Sequence, residues 1–470
     1  MLYKTLNKIT TLSICLHRTN STCLFLQNIS VPKSHAVHTH AHLKIRPHHS
    51  LSSFRSLHTL TDRSSICQVK QNHRCFQKYL PLRSVHTAAI CQSMNNDTVS
   101  YPHGTTPIQM WGHETDSFGN IDVEVPFHVL IRPLDPVQYP EMNRVFIKLL
   151  VPVSNESANK ASFVSNLSRW SDIYELNSTT EEDKVIVKGH IPKDIFGDSL
   201  PEMTCLIEVP IKFTVNVQVA GKANVSIQNM EGDKINVKFH YGKCLLTQIK
   251  ASEVDVYCVK GDIESSGVLQ GNIRLKCQNQ GVIKADRLQG QTIHCSVGGG
   301  TMDIQNIYAD TCNLTASARA QLSIGSCHGD TMILMKEGNV KIKNLEGHLD
   351  GTTDEGDMDI GLTNTPKNVS VENHKGDIIL GFCPTLKANF ELNAKKIKLD
   401  EDFSELSEKL EKKIVGEKHL DCPQIHMELR GSIGSDNKNC SQVKAIANQG
   451  NLTLKKQDWL SSLGFSLKMD

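Results

Sequence analysis

The feature that most constrains this chain is a glycine followed by an alternating apolar pattern. In units such as Gly271-Asn-Ile-Arg-Leu275 and Gly356-Asp-Met-Asp-Ile360, apolar residues fall two and four positions after the glycine. A period of two is typical of a strand that buries one face. Glycine supplies the positive φ of a tight turn, and the Asp or Asn that usually follows it can bond the turn backbone. The predicted turn glycines are Gly261, Gly271, Gly281, Gly300, Gly338, Gly356, Gly376 and Gly450.

The spacing of the glycines indicates the architecture. Glycines at positions 261, 271, 281, 290 and 300 are nine or ten residues apart, and those at 329, 338, 347 and 356 are each nine apart. Units this short cannot bury a core alone, so they must stack. They can form an up-and-down meander, or a solenoid with two or more units per coil and parallel strands about 4.8 Å apart. We predict an all-β fold, a parallel β-solenoid or β-helix-like repeat over residues 226–394.

Both flanks of the repeat are predicted to be β-structure as well. Residues 100–225 contain strand-like segments such as Phe127–Ile131 and Phe213–Val219, separated by Pro-, Asn- and Ser-rich loops. We interpret them as an N-terminal all-β cap, because a bare solenoid end exposes an edge that pairs with other chains. At the other end, the unit Gly450-Asn-Leu-Thr-Leu454 predicts a closing strand of the solenoid within residues 442–464.

Residues 395–441 depart from the repeat and are predicted to be an insertion. Phe403, Leu406, Leu410 and Ile414 recur at helical spacing, and Asp402 is placed to cap the first turn. The pattern predicts one short amphipathic helix over Asp402–Ile414.

The first 95 residues differ in charge from the rest of the chain. They hold twelve Lys or Arg residues against one acid, together with ten histidines. A basic, Ser-rich and acid-poor segment is typical of a mitochondrial presequence, so we predict a disordered basic leader and a mitochondrial location. Two alternatives stay open. The protein could be cytoplasmic and start at Met94, or it could be secreted, with sequons such as Asn155 and Asn177 carrying glycans.

The composition of the remaining residues excludes some partners. They hold 39 basic residues against 49 acids, a net charge of −10. A folded part this acidic repels phosphates, so no nucleic-acid partner is predicted. No apolar run approaches the roughly 20 residues that span a bilayer, so no membrane span is predicted either.

Cysteines are numerous but are not arranged as a zinc or redox motif. Five of the fifteen lie in the leader, and the other ten contain no C-x-x-C pair, which favours a reducing compartment. Five cysteines recur at steps of 19, 18, 17 and 15 residues, close to one coil of the predicted solenoid. Because cysteine is small and mostly buried, we interpret them as an interior packing ladder rather than a metal site. They are Cys258, Cys277, Cys295, Cys312 and Cys327.

The densest acidic group of the repeats is formed by Asp354, Glu355, Asp357 and Asp359. Carboxylates on one strand face could bind calcium or act as the paired acids of a sugar hydrolase. The calcium-binding nonapeptide is absent from the sequence. We therefore interpret these residues as a charged face that keeps a stacked sheet soluble.

Two further pairs of residues were considered as sites. His328 and His348 lie twenty residues apart and would stack on one face, but no third metal ligand accompanies them. Cys422 and His419 lie close together beside a proline, without an orienting group. The sequence contains no nucleophile elbow, phosphate loop or dinucleotide fingerprint. We predict no catalytic, cofactor-binding or metal-binding residues, and no cofactor.

The series of glycine units, closed by Gly450-Asn-Leu-Thr-Leu454, resembles an adhesin-type domain of unknown function that is widespread in bacteria. It resembles more closely an uncharacterised animal member of that family. The resemblance covers residues 205–460 and rests on the repeats. It implies a β-solenoid, and it implies no catalytic residues.

A long regular β-surface without convergent polar residues favours a non-enzymatic binding or scaffold protein. Its partner would be a macromolecule, of which a protein is the favoured class. One alternative is a β-helix enzyme that acts on carbohydrate, although Tyr308, Phe382 and Phe390 are the only aromatic residues between Gly261 and Leu399. The other is self-association, in which solenoid ends stack into a polymer.

Overall fold

The part of the chain that the computed structural model describes contains strands and no helix. It comprises residue 102 and residues 104–152, 174–191, 203–383, 385–400, 410–416, 425–433 and 440–457. The predicted leader, residues 1–95, lies outside it. Within this part, the elements are β1 Thr105–Glu114, β2 Asn120–Val125, β3 His128–Pro133, β4 Arg144–Pro152, β5 Glu175–Glu181, β6 Lys184–His190, β7 Thr204–Val209, β8 Thr214–Lys222, β9 Val225–Gln228, β10 Lys234–Glu355, β11 Met358–Lys375, β12 Ile378–Phe382, β13 Ala388–Leu399, β14 Leu410–Gly416, β15 Ile425–Ile433 and β16 Ser441–Lys456. No helix in these residues is long and apolar enough to cross a bilayer.

The long element β10 winds through successive coils of a stack. Side chains bridge residues about one coil apart, as where Arg274 contacts Asp255 at 3.2 Å and Thr292 bonds Asn272 at 3.1 Å. The flanking ladders are parallel: β8 pairs with the start of β10, and β11 pairs with its end. Each coil contains two of the glycine units, so the meander is excluded and the predicted parallel β-solenoid is confirmed.

Each coil contributes one strand to each of two faces. Along both, alternate residues point inward, and the inward positions are almost all apolar and buried. Each fully buried Val, Ile or Leu contributes roughly 1.5–3 kcal/mol relative to exposure. Face 1 comprises residues 235–239, 254–258, 273–277, 293–297, 312–316, 331–335, 349–353, 369–373 and 443–447. Face 2 comprises residues 244–247, 263–265, 283–285, 302–304, 322–324, 340–342, 358–362, 378–382 and 452–456.

The N-terminal region, predicted as a separate cap over residues 100–225, continues the same stack. On face 1 the strands follow the order β5–β6–β2–β8–β10, and on face 2 the order β1–β4–β7–β3–β9–β10. From β6 on face 1 and from β7 on face 2 into β10, every pairing is parallel, as in the partners Ile121 and Val215, so the pairing shows no break near residue 225. Only the outermost strands β5, β4 and β1 are antiparallel, and they close this end.

The C-terminal strand β16 lies inside the stack rather than at its end. It pairs in parallel with β11 and β12 on one side and with β13 on the other. The segment predicted to close the solenoid spans residues 442–464, and its described part, residues 442–457, is therefore overlain by a segment that precedes it in the chain. The start of the predicted insertion, residues 395–399, belongs to β13 and to the stack.

The predicted helix over Asp402–Ile414 is wrong in its last turn, and its residues 402–409 lie outside the described part. Leu410–Gly416 is the strand β14, which pairs antiparallel with β15, itself antiparallel to β13. Leu410 and Ile414 are four residues apart, a spacing that fits the helical period and the strand period equally. The hydrogen-bonding edge offered by β15 favours the strand.

The glycines of the repeat stand in two columns, one at each bend between strands. Five of the eight predicted turn glycines have positive φ: Gly271, Gly300, Gly338, Gly356 and Gly376. Gly261, Gly281 and Gly450 do not. A Cβ at any of the eight would come closer than 3.0 Å to a carbonyl oxygen one coil away in the stack. All eight positions therefore require glycine because the coils approach each other closely there. Five of them also require it because their φ is positive.

The Asp or Asn that follows these glycines bonds the neighbouring coil, not its own turn. The Oδ1 atom of Asp357 accepts the backbone amide of Asp377 at 2.9 Å, and Asp357 donates its own amide to Asn339 at 2.9 Å. Asp377 likewise accepts the amide of Asn451 at 2.8 Å. The Asp or Asn of these pairs thus satisfies a backbone donor of the neighbouring coil at several bends, namely those of Asp262, Asn339, Asp357 and Asp377, which is a role that the sequence did not reveal.

Candidate functional site

A shallow groove of about 440 Å³ crosses five coils of face 1 near its C-terminal end. The groove lies where outward Asn, Ser, Thr and Asp side chains on adjacent strands are short. Longer side chains around them enclose the space that these short side chains leave. We call it the face 1 groove. Its lining residues are Thr311, Asn313, Asp330, Thr331, Met332, His348, Leu349, Asp350, Asn368, Val369, Ser370, Gln442 and Lys444.

The central row of the groove runs along the stack axis, with one residue from each coil. Its members are Asn313, Met332, Asp350, Ser370 and Lys444. Asp350 is in register with Ser370, and Ser370 is in register with Lys444. Adjacent strands lie about 4.8 Å apart, so Asp350 and Lys444 are separated by about 10 Å along the axis.

Elsewhere on face 1, outward polar side chains pair from coil to coil. Asn216 bonds Asp122 at 2.9 Å near the N-terminal end, and Asn448 bonds Glu372 at 3.1 Å one row from the groove. In the central row this pairing stops. Within the described residues, Asn313, Asp350, Ser370 and Lys444 make no side-chain hydrogen bond or ion pair, and Glu391, in register with Lys444, pairs with Arg430 instead.

One strand carries the exposed apolar side chains at this part of face 1: Met332 lines the groove, and Leu334 lies beside it. Met332 is 52% exposed, and Leu334, two residues further along the same strand, is 54% exposed. Both belong to the few large apolar side chains that the described part of the chain leaves exposed. An apolar pair in the middle of a polar face is typical of a binding surface rather than of a solvated one.

The two candidate histidines do not stack on each other. His328 stacks on Tyr308 with ring centroids 4.5 Å apart, and its Nδ1 contacts Glu346 at 2.5 Å. His348 lies at the edge of the face 1 groove, where its Nε2 is 3.9 Å from Asp330. Gly329 packs against Gly347, so the coil is 18 residues long here and a separation of twenty places the rings in different rows.

The five cysteines are all buried, as an interior ladder requires, but only two of them stack. Cys258 and Cys277 have sulfur atoms 3.0 Å apart, because their step of 19 residues matches the local coil. The shorter steps shift Cys295, Cys312 and Cys327 to other inward positions. Burial raises the pKa of the Cys295 thiol to about 12, and that of Cys327 to about 11 despite a bond to Thr331. Thiols this weakly acidic are poor nucleophiles, so packing is the role of these two cysteines.

The acidic group over residues 354–359 does not converge on a site. Each member instead has a partner on a neighbouring coil, as a charged and solvated face would. The pairs are Asp354 with His374 at 3.9 Å, Glu355 with Lys375 at 3.8 Å, Asp357 with the amide of Asp377 at 2.9 Å, and Asp359 with Lys455 at 3.1 Å. Among the described residues, no three or more His, Cys, Asp or Glu side chains could hold a metal ion together. Cys422 and His419 lie outside the described residues.

The face 1 groove was not predicted from the sequence, although the residues that form it can be read there. Polar residues at outward positions gave no signal, because nearly every outward position of the repeat is polar. The signal that could have found the groove is the pair Met332 and Leu334, at outward positions where the alternation predicts polar residues.

Residues 268–421 match a family model described as Toastrack DUF4097. The matched Toastrack segment is about a third of the chain, and it agrees with the central part of the range over which the sequence resembles an adhesin-type domain of unknown function. Four of the five coils that line the groove lie in the Toastrack segment. The fifth, with Gln442 and Lys444, lies beyond it. The finer resemblance, to an animal member of the family, stays a prediction.

Three solved structures of bacterial proteins are also similar to the chain. A candidate cell adhesion protein from Clostridium sporogenes is 9% identical, with 75% of this chain and 100% of that chain covered and a TM-score of 0.17. A candidate adhesin from Bacteroides fragilis is 10% identical, with coverages of 76% and 98% and a TM-score of 0.22. A candidate adhesin from Parabacteroides merdae is 13% identical, with coverages of 60% and 91% and a TM-score of 0.25.

Proposed function

We propose that this protein is a non-enzymatic binding scaffold, which presents face 1 of its solenoid to a macromolecular partner. The observation that carries the proposal is the face 1 groove, where the polar side chains of the central row are unpaired within the described residues, Met332 is exposed, and the exposed Leu334 lies beside it. The polar groups lie in a row rather than around one point, which suits an extended contact better than the conversion of a small substrate. The family description and the names of the similar structures are compatible with such a role.

Replacing the apolar pair should abolish partner binding while leaving the fold intact. We expect the double variant Met332→Asp, Leu334→Asp to capture at least tenfold less of any partner that the full-length wild-type protein retains, since central apolar anchors dominate interface energy. Val137→Asp is the matched control, because Val137 is 88% exposed and lies away from face 1. Equal partner sets from the three proteins would place binding elsewhere. Turnover of a substrate by the wild-type protein would contradict the non-enzymatic role.

We also propose that this scaffold works in mitochondria. The support is the charge contrast between the first 95 residues, with twelve basic residues and one acid, and the rest, with a net charge of −10. A tagged full-length chain is expected to enter mitochondria and to lose roughly 85–95 residues, because the membrane potential draws a basic presequence inward. A chain that starts at Met94 should stay in the cytosol. Import of the shorter chain, or glycosylation of the full-length chain, would refute the location.

A further inference from the structure

The face 1 groove carries more information than the presence of a binding surface, because its chemistry changes along the stack axis. From Asn313 onward the central row presents an apolar thioether at Met332, a carboxylate at Asp350, a hydroxyl at Ser370 and an ammonium group at Lys444. Apolar, anionic and cationic positions therefore follow one another in a fixed order, with Met332 and Asp350 on adjacent coils and Asp350 and Lys444 two coils apart.

The groove lies in the middle of a sheet, and this limits how a ligand can bind. The backbone amides and carbonyls of its strands are used in the parallel ladders between coils, as between β11 and its neighbours β10 and β16. A partner strand cannot extend the sheet there, since strand addition needs a free edge. Recognition must therefore come from side chains alone.

The charges in the row are available to a ligand. Asp350 and Lys444 have no ionic partner among the described residues and are too far apart to pair with each other. Asp330 is the other carboxylate that lines the groove, and His348 lies 3.9 Å from it. The lining residues include no Phe, Tyr or Trp on which a sugar ring could stack. A neutral glycan would leave both free charges unmatched, whereas a peptide can match each of them.

We propose that the face 1 groove binds an extended protein segment that presents an apolar, a basic and an acidic side chain at alternate positions, in the order apolar–x–basic–x–acidic. The segment would run along the stack axis, with its apolar group against Met332 and Leu334. Its basic group would face Asp350, and its acidic group would face Lys444. Alternate side chains of an extended chain point to the same side, and four residues advance about 13 Å, which is close to the about 14 Å of three strand spacings between Met332 and Lys444. This inference rests on the proposed function and specifies its partner.

A library of random twelve-residue peptides displayed on phage tests the order of the chemistry. We expect the full-length wild-type protein to enrich peptides of the apolar–x–basic–x–acidic pattern, read in one chain direction. The charge-swapped variant Asp350→Lys, Lys444→Asp has the same net charge and should enrich the apolar–x–acidic–x–basic pattern instead. A surface that is merely adhesive would select the same peptides on both proteins.

Single near-isosteric variants keep the test decisive if the charge-swapped protein does not fold. Asp350→Asn and Lys444→Gln should each weaken binding of a synthetic peptide selected on the wild-type protein by five- to tenfold, and added salt should reduce the difference. Enrichment of one pattern by both proteins, no enrichment by the wild type, or binding of neutral oligosaccharides in place of peptides would overturn the proposal. If Met332→Asp, Leu334→Asp still abolishes partner capture in any of these cases, the scaffold role stands and only the partner chemistry fails.

Discussion

A chain that stops at Cys440 is expected to aggregate instead of yielding folded monomer. It lacks β16, which fills the position between β11 and β12 on one side and β13 on the other. Its buried side chains Val443, Leu452 and Leu454 alone contribute about 5–9 kcal/mol, at 1.5–3 kcal/mol each. That is comparable with the roughly 5–15 kcal/mol by which folded domains are stable. The loss would also expose unpaired parallel edges.

The matched control is a chain that stops at Gln457, which keeps every described strand and should elute as the full-length protein does in size-exclusion chromatography. The variant Leu452→Asp tests the same position without a truncation, because it places a carboxylate at a fully buried site between coils. A soluble, cooperatively melting protein that stops at Cys440 would show that β13 can dock directly on β11 and β12.

Glycine-to-alanine substitutions should distinguish the stability lost through crowding between coils from the stability lost through a positive φ. Gly281 has no positive φ but is in close contact with the neighbouring coil, whereas Gly221 has φ +78° and open space around it. Gly271 combines both conditions, with φ +142° and a carbonyl oxygen where its Cβ would be. Crowding costs roughly 1–3 kcal/mol, and a left-handed alanine costs about 1–2 kcal/mol. We expect Gly271→Ala to lose the most stability, about 3 kcal/mol or more, and Gly221→Ala the least.

Urea denaturation of the three variants measures these free energies. Asp357→Asn is the control for a change at the same bends. It should cost little, because an amide oxygen can accept the Asp377 amide as Asn339 accepts that of Asp357. Equal losses for Gly221→Ala and Gly271→Ala would show that close approach between coils has no energetic role. A valine at Gly271 would enlarge the loss, since it adds a branched side chain at the same contact.

The repeat itself could be predicted because its physical basis is local. Alternation after each glycine identifies the inward positions, and a unit of nine or ten residues cannot stand alone, so stacking followed from residues such as Ile273 and Leu275. The order of the coils could not be predicted in this way. Every coil has the same inward pattern, so nothing in the alternation shows that β16 pairs with β11 rather than following β13, or that β2 lies between β6 and β8.

The face 1 groove escaped prediction for a related reason. It depends on which outward residues align across coils, and coil length varies between about 18 and 20 residues. This difference of two residues in coil length determines which side chains become neighbours. His348 lies beside Asp330 on the preceding coil, whereas His328 lies beside Tyr308 on the preceding coil and Glu346 on the following one. Such registers come from the packing of bends such as Gly329 on Gly347, not from the apolar period.

The placement of β16 has a consequence for the order in which the molecule can fold. Coils from β8 to β12 meet neighbours that are close in the chain, so they can form while the polypeptide emerges from the ribosome. β13 cannot do so, because its partner Ser441–Lys456 is synthesised later. Until then the edge of β11 and β12 is unpaired, and β13 can pair with it instead. The apolar residues Phe390, Leu392 and Ile397 of β13 follow the same inward alternation as the residues of β16.

The strand β16 must therefore enter between two segments that can already pair with each other. Pairing of residues far apart in sequence is slow, and it competes here with a local alternative of similar pattern. The C-terminal end of the stack, including Lys444 in the face 1 groove, is completed only after β16 has displaced or forestalled that alternative. The face 1 groove is thus completed only when β16 has entered the stack, because Gln442 and Lys444 are supplied by that strand.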